Sequence, residues 1–258
     1  MDRLLKAVMH LVLIATGLSQ VGAIESLPLT TIERVHGSMV LMVCPKGESG
    51  SGFVVEHEKN FFVVTASHVC TGVKTGDAVR CILKSQKADL PLACSLLVFD
   101  NIRDVAIYSV PQGNYVIQAL NLTLEPVPLA TEIGFAGYPF AIKETFFIMT
   151  RKGMVGSTMS VIFNLTDAKT KEQKAVPVDF YLINGISNPG DSGGPVFLSP
   201  SGDVIAIIKG TTGILKDYSL IMKYREREVD LADKPTGILV AVPVKYVVDL
   251  LKSATTGK

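Results

Sequence analysis

The sequence predicts an all-β protein in two similar halves on either side of a short connector. Three observations predict it. Apolar runs rich in Val, Ile and Phe recur along the chain and are too short for most helices. Turn residues punctuate those runs at close intervals. The stretch "LNLTLEPVPLATE" (120–132), with two prolines and no helical period, falls between two such series. The 258 residues are 48% hydrophobic and 19% charged, enough apolar material for a large core and against disorder. A formal net charge of +1 provides no long-range field to collect nucleic acid or an anionic membrane, so any partner is recognised locally.

The chain opens on "MDRLLKAVMHLVLIATGLSQVGAIE", with Arg3 and Lys6, an apolar stretch, and small residues at Val21-Gly22-Ala23. This reads as an export signal over 1–23, with an uncleaved anchor as the alternative. Localisation is then secreted or periplasmic. An oxidising compartment lets Cys44, Cys70, Cys81 and Cys94 form disulfides, in one of three pairings. Zinc is disfavoured, since no CxxC pair occurs and the spacings match no common finger, and no metal or cofactor is expected.

Strands are predicted at 39–43, 52–55, 61–65, 78–83, 93–99 and 105–110, which would close a small barrel or a sandwich over 24–119. After a linker at 120–131, a second series begins at 133–136, 145–150, 159–163, 177–183, 195–198, 204–208 and 238–242, giving a second β unit over 132–258. "DAKTKEQKA" (167–175) looks like an exposed hairpin tip, and the mixed charges of 215–235 like a solvated surface. At the end, Tyr246 or Val247 with Leu250 and Leu251 at helical spacing predicts a short closing helix.

The chemistry is concentrated in "ISNPGDSGGPVF" (186–197). Acyl transfer needs a hydroxyl at the tip of a tight turn, with free backbone N–H groups beside it for the oxyanion. Ser192 is the candidate nucleophile, and the amides of Gly190 and Ser192 the candidate oxyanion hole. Gly190 can turn its amide toward the site, and Gly193 and Gly194 allow close approach. Serine needs a positioned base. Of the four histidines, His10 lies in the signal, His36 precedes the first strand and His57 lies among charges, whereas His68 follows an apolar run and a small-residue turn in "FFVVTASHVC". The third member should be an acid at the edge of an apolar strand. Asp104, followed by Val-Ala-Ile, fits; Asp100 is its rival.

With these residues in hand the sequence resembles the chymotrypsin-fold serine proteases, and among them the high-temperature-requirement (HtrA/Deg) type. "GSGFVV" (50–55) followed by "VVTASHV" (63–69) resembles the strand pair that ends at the family's histidine. "RDVAIYSV" (103–110) resembles the strand that starts at its aspartate, and "NPGDSGGPVF" (188–197) its nucleophile loop. "GFAGYPF" (134–140) and "GILVAVPVKYVVDLL" (237–251) resemble the first strand of its second barrel and its closing strand and helix. The order His68, Asp104, Ser192 is that of this fold.

The resemblance implies a double six-stranded β-barrel with a short C-terminal helix and a serine endopeptidase acting on polypeptides. His68 would be general base then acid, Asp104 its orienter and Ser192 the nucleophile. No PDZ domain is expected. It further implies a Cys44–Cys70 disulfide beside the catalytic histidine and leaves Cys81–Cys94 as a staple across a hairpin. Ile186 stands where enzymes specific for basic residues carry an acid, so the pocket should prefer apolar or small side chains. Ile208, Lys209, Gly210 and Thr211 would form its opposite wall; an inward Lys209 would favour an acidic substrate instead. The HtrA type usually has Asn before the serine, whereas this chain has Asp191, as trypsin-like enzymes do. Cleavage after Ala23 would free Ile24 to pair with Asp191 as in their zymogens; otherwise Asp191 bonds to loop amides. A non-catalytic binding module on the same fold, or an esterase with the same triad, is the alternative reading.

Overall fold

The computed structural model describes residues 27–83, 89–113, 116–140, 147–166, 173–210, 221–224, 227–230 and 237–256. The export signal, Ile24, Thr211 and most of the charged stretch 215–235 lie outside them, as do 145–146 and 167–172.

Six strands form the first barrel: β1 (Met39–Val43), β2 (Ser49–His57), β3 (Asn60–Thr65), β4 (Ala78–Leu83), β5 (Leu90–Asp100) and β6 (Val105–Ser109). They close in the order β1-β2-β3-β6-β5-β4, every neighbour antiparallel. The second barrel uses β7 (Glu132–Gly137), β8 (Met149–Thr166), β9 (Gln173–Asn184), β10 (Pro195–Leu198), β11 (Val204–Gly210) and β14 (Ile238–Pro243), in the order β10-β11-β14-β9-β8-β7. Between β11 and β14 lies a two-stranded ribbon, β12 (Ile221–Tyr224) with β13 (Arg227–Asp230). Closure removes the unpaired edges that short strands would otherwise expose.

Continuous burial along β1, β3 and β11 explains why those runs read as uninterrupted apolar stretches rather than alternating ones. Val40, Val54, Val63 and Tyr108 pack inside the first barrel. Phe135, Ile183, Ile205 and Leu239 pack inside the second. A third cluster, with Phe53, Val64, Ile107, Phe197 and Val242, includes strands of both barrels and the closing helix. That helix, α2 (Lys245–Thr256), has Val247 and Leu251 buried on one side.

One element is new and two expectations are corrected. Residues 29–38 form a helix, α1 (Leu29–Ser38), that the strand reading passed over. Its buried side chains Thr31, Val35 and Ser38 lie at i, i+4 and i+7, and two are polar, so hydrophobicity alone does not reveal the stripe. The predicted strand 159–163 and the end of 145–150 belong to one long strand, β8, in which Gly153 pairs with Ile133 of β7 and Gly156 sits in a bulge of the β8–β9 ladder between Val155 and Ser157. Finally, Cys44 and Cys70 form a disulfide, but Cys81 and Cys94 are free, buried thiols. The β4–β5 register pairs Cys81 with Leu92 and Val79 with Cys94, which sets the two cysteines diagonally instead of face to face. Diagonal Cα atoms are typically about 7–8 Å apart, beyond the span of an unstrained disulfide, although the two thiols still touch. The contact with Cys94, together with burial, raises the Cys81 thiol well above its ordinary range.

Candidate active site

The candidate site lies where loops of the two barrels meet. His68 sits in a single 3₁₀ turn (Ser67–Cys70) entered directly from β3, so the apolar strand fixes the chain that carries the imidazole. The Cys44–Cys70 bond ties this turn to the end of β1. Asp104 precedes β6 and adopts a left-handed backbone (φ 60°), a conformation that aspartate tolerates better than most residues.

Asp104 is the acid that faces His68. Its Oδ2 lies 2.8 Å from His68 Nδ1, and its Oδ1 accepts the backbone N–H of His68 and the Ser67 hydroxyl, both at 3.0 Å. Asp100 instead caps its own turn, accepting the amides of Ile102 and Arg103 at 2.9 Å and pairing with the Arg103 guanidinium. Its carboxylate is therefore engaged within its own turn.

Sequence reasoning missed one partner. Lys209 Nζ lies 2.9 Å from Asp104 Oδ2, so the residue expected to line a specificity pocket places its ammonium on the buried carboxylate. Burial alone would push the Asp104 carboxyl up. The hydrogen bond and charge of His68, with the charge and hydrogen bond of Lys209, outweigh it and hold the group at about 2. The only signal in the sequence was a lysine closing an otherwise apolar strand, "VIAIIKG".

The serine loop is clamped from both barrels. Ser51 in β2 donates its N–H to the Ser192 carbonyl at 2.9 Å and its hydroxyl to the Gly190 carbonyl at 2.7 Å. The same hydroxyl accepts the Tyr138 N–H at 2.8 Å from the second barrel. Gly193 donates to the Ile208 carbonyl at 2.8 Å. Its backbone (φ 87°) and its surroundings both demand glycine: a Cβ there would lie 2.1 Å from the Ser51 carbonyl and 2.2 Å from Thr65 Oγ1. The loop thus presses against the chain that runs into His68.

Gly190 takes φ 96°. Among the described residues, the N–H groups of Gly190 and Ser192 make no hydrogen bond, so both are available as donors. Ser192 Oγ donates to the Lys209 carbonyl at 3.2 Å, and a turn of its side chain would redirect it. Of the expected pocket residues, Ile186 is 54% exposed, Ile208 is buried in the second barrel, and Gly210 faces Ser192, a Cβ there lying 3.9 Å from its Oγ. Ile186 is thus an exposed apolar side chain, whereas Ile208 contributes to the barrel interior.

Two closed six-stranded barrels meeting at a glycine-rich serine loop define a serine peptidase of the double-barrel class. A family model described as trypsin-like peptidase domain matches residues 50–207, and the chain belongs to that family; in class it is a serine endopeptidase. In fold it is similar to the active form of the Rv3671c protease from M. tuberculosis, with a TM-score of 0.62 and 19% identity over 86% of this chain and 82% of that one. It is also similar to a serine endoprotease from Yersinia pestis (TM-score 0.59, 14% identity, 90% of this chain and 68% of that one). A third likeness is to the HtrA-type protease AlgW solved with a tripeptide (TM-score 0.59, 17% identity, 86% of this chain and 62% of that one). No curated protein matches the sequence.

Proposed function

We propose that the protein hydrolyses peptide bonds through Ser192, His68 and Asp104 by way of an acyl-enzyme. The observation that carries this reading is the hydrogen bond from His68 Nδ1 to Asp104, which is 3% exposed, at the meeting of the two barrels. A carboxylate in that position fixes the tautomer that leaves Nε2 unprotonated, ready to accept a proton. Ser192 Oγ attacks the carbonyl carbon as its proton passes to His68 Nε2. The carbonyl oxygen becomes an oxyanion held by the N–H groups of Gly190 and Ser192. The imidazolium then protonates the leaving amine, the C–N bond breaks and an ester remains on Ser192. Water, deprotonated by His68, repeats the sequence and releases the acid.

The proposed substrate is a polypeptide with an apolar or small side chain before the scissile bond. Exposed Ile186 supports this, because without a carboxylate it offers nothing to pair with Lys or Arg. The ammonium of Lys209 is bound to Asp104, which argues against an acidic side chain there. Export through residues 1–23 belongs to the same reading, and the Cys44–Cys70 disulfide supports it.

The test is labelling of the purified protein with a serine-directed fluorophosphonate. Wild type should label while Ser192→Ala and His68→Ala do not, and cleavage of an unfolded protein should follow the same pattern. Labelling that survives Ser192→Ala, or a folded wild type that fails to label, overturns the proposal in favour of a binding module.

A further inference from the structure

We propose that Arg151, on β8, is the positioning residue that holds the serine loop in its competent shape, and that this competence does not depend on a freed amino terminus. The inference rests on the Ser192 reading above. Asp191, immediately before Ser192, is wholly buried. A carboxylate removed from water is tolerated only with a charged partner and hydrogen bonds. The amide of Asn188 donates to Oδ2 at 2.6 Å, and the opposite charge comes from Arg151, whose Nη2 lies 2.6 Å from Oδ1.

The same guanidinium reaches further. Arg151 Nη1 donates to the Ile186 carbonyl at 3.1 Å, so one planar cation spans the loop from the proposed pocket residue to the residue before the nucleophile. The barrel builds the arginine's position. Phe135 and Arg151 are direct partners in the β7–β8 register, and the guanidinium lies 5.0 Å from the centre of the Phe135 ring. Gly137 on β7 leaves room for the carboxylate, since a Cβ there would come within 2.4 Å of Asp191 Oδ1.

The consequence for chemistry follows from the loop's own bonds. Asp191 donates its N–H to the Asn188 carbonyl and accepts that of Gly194, both at 3.0 Å. These bonds fix the peptides on either side of Gly190 and Ser192 and leave their two N–H groups free. Without Arg151 the carboxylate is buried and uncompensated; it would turn toward water and carry those peptides with it. Lysine, a point charge, can meet Asp191 or Ile186 but not both in the plane that the fork provides. Because a side chain of β8 already neutralises Asp191, the Ile24 amine has no role left to fill there.

The experiment compares Arg151→Met, Arg151→Lys and the double variant Arg151→Met/Asp191→Asn with wild type, and adds wild type whose terminal amine is acetylated. The readouts are the rate of fluorophosphonate labelling, the separate kcat and KM on an unfolded-protein substrate, and the amide resonances of Gly190 and Ser192. Arg151→Met should slow labelling about a hundredfold, the scale of losing an oxyanion donor, chiefly through kcat. Arg151→Lys should fall between. The double variant, having no buried charge to satisfy, should recover fold and part of the labelling even where Arg151→Met fails to fold. Acetylated wild type should label normally. Wild-type labelling by Arg151→Met, or loss of labelling on acetylation, overturns the proposal. A folded wild type that does not label defeats the Ser192 reading instead. The resonances then decide the loop role: shifts of Gly190 and Ser192 in Arg151→Met uphold it and unmoved resonances refute it.

Discussion

Replacing Asp104 by Asn measures how strongly the site holds its charge. The side chain is 3% exposed and lies between His68 and Lys209, and its carboxyl titrates at about 2 against an ordinary 3.8. At 1.36 kcal/mol per pH unit, that difference corresponds to about 2–3 kcal/mol in favour of the folded state. The folded pKa is the lower one, so this contribution is fully present above pH 3.8 and lost as pH falls through about 2. Asn does not titrate. Urea unfolding of wild type and Asp104→Asn, followed from pH 6 down to pH 2, should therefore give a stability difference that narrows by about 2–3 kcal/mol across the acid range. Carboxylates shared by the two proteins cancel in the comparison. A difference that stays constant over that range would mean that the cations do not favour the ionised form, and the electrostatic account of the site would be wrong.

Lys209→Met should cost about 1–2 kcal/mol at neutral pH, because Asp104 keeps its Ser67 and His68 donors, and the cost should disappear in an Asp104→Asn background. A double-mutant cycle with no coupling would place the ammonium in solvent. Gly193→Ala combines a left-handed backbone with contacts near 2 Å and should cost about 3 kcal/mol or more, read as a fall of about 10 °C in Tm; an unchanged Tm would show that the two barrels do not grip this loop. Removing the Cys44–Cys70 bond, which spans a sequence separation of 26, should cost about 3–4 kcal/mol. Melting that ignores reductant would contradict it. Cys81 and Cys94, both buried, should react with a maleimide only after denaturation, and rapid labelling of native protein would refute their burial.

Strands were legible where burial ran without interruption or alternated regularly. The intervals 39–43, 78–83 and 195–198 coincide with β1, β4 and β10 because each is bounded by turn residues and packed from end to end or alternately along its length. Helix α1 was not legible, since two of its three buried side chains are Thr31 and Ser38, whose burial depends on what they meet. Thr31 reaches the Pro200 carbonyl, 169 residues away. The thiols Cys81 and Cys94 were misjudged for a related reason: adjacency of two strands is a local inference, but a two-residue difference in register decides whether two side chains on one face stand directly opposite or only diagonally.

His68, Asp104, Gly190 and Ser192 could be named as candidates because each has a local mark: a strand end, an acid before an apolar run, a turn glycine, and a serine between turns. By itself, then, the sequence determined two β series and their order, and marked these four residues as candidates, with Asp100 still standing beside Asp104. Tertiary structure alone decided which cation meets each buried carboxylate. Lys209 reaches Asp104 across 105 residues, and Arg151 reaches Asp191 from the neighbouring strand but one. A sequence shows that a buried acid needs a partner, because local pattern predicts its burial. Which long, flexible side chain supplies the charge is fixed only when barrel closure brings distant strands side by side.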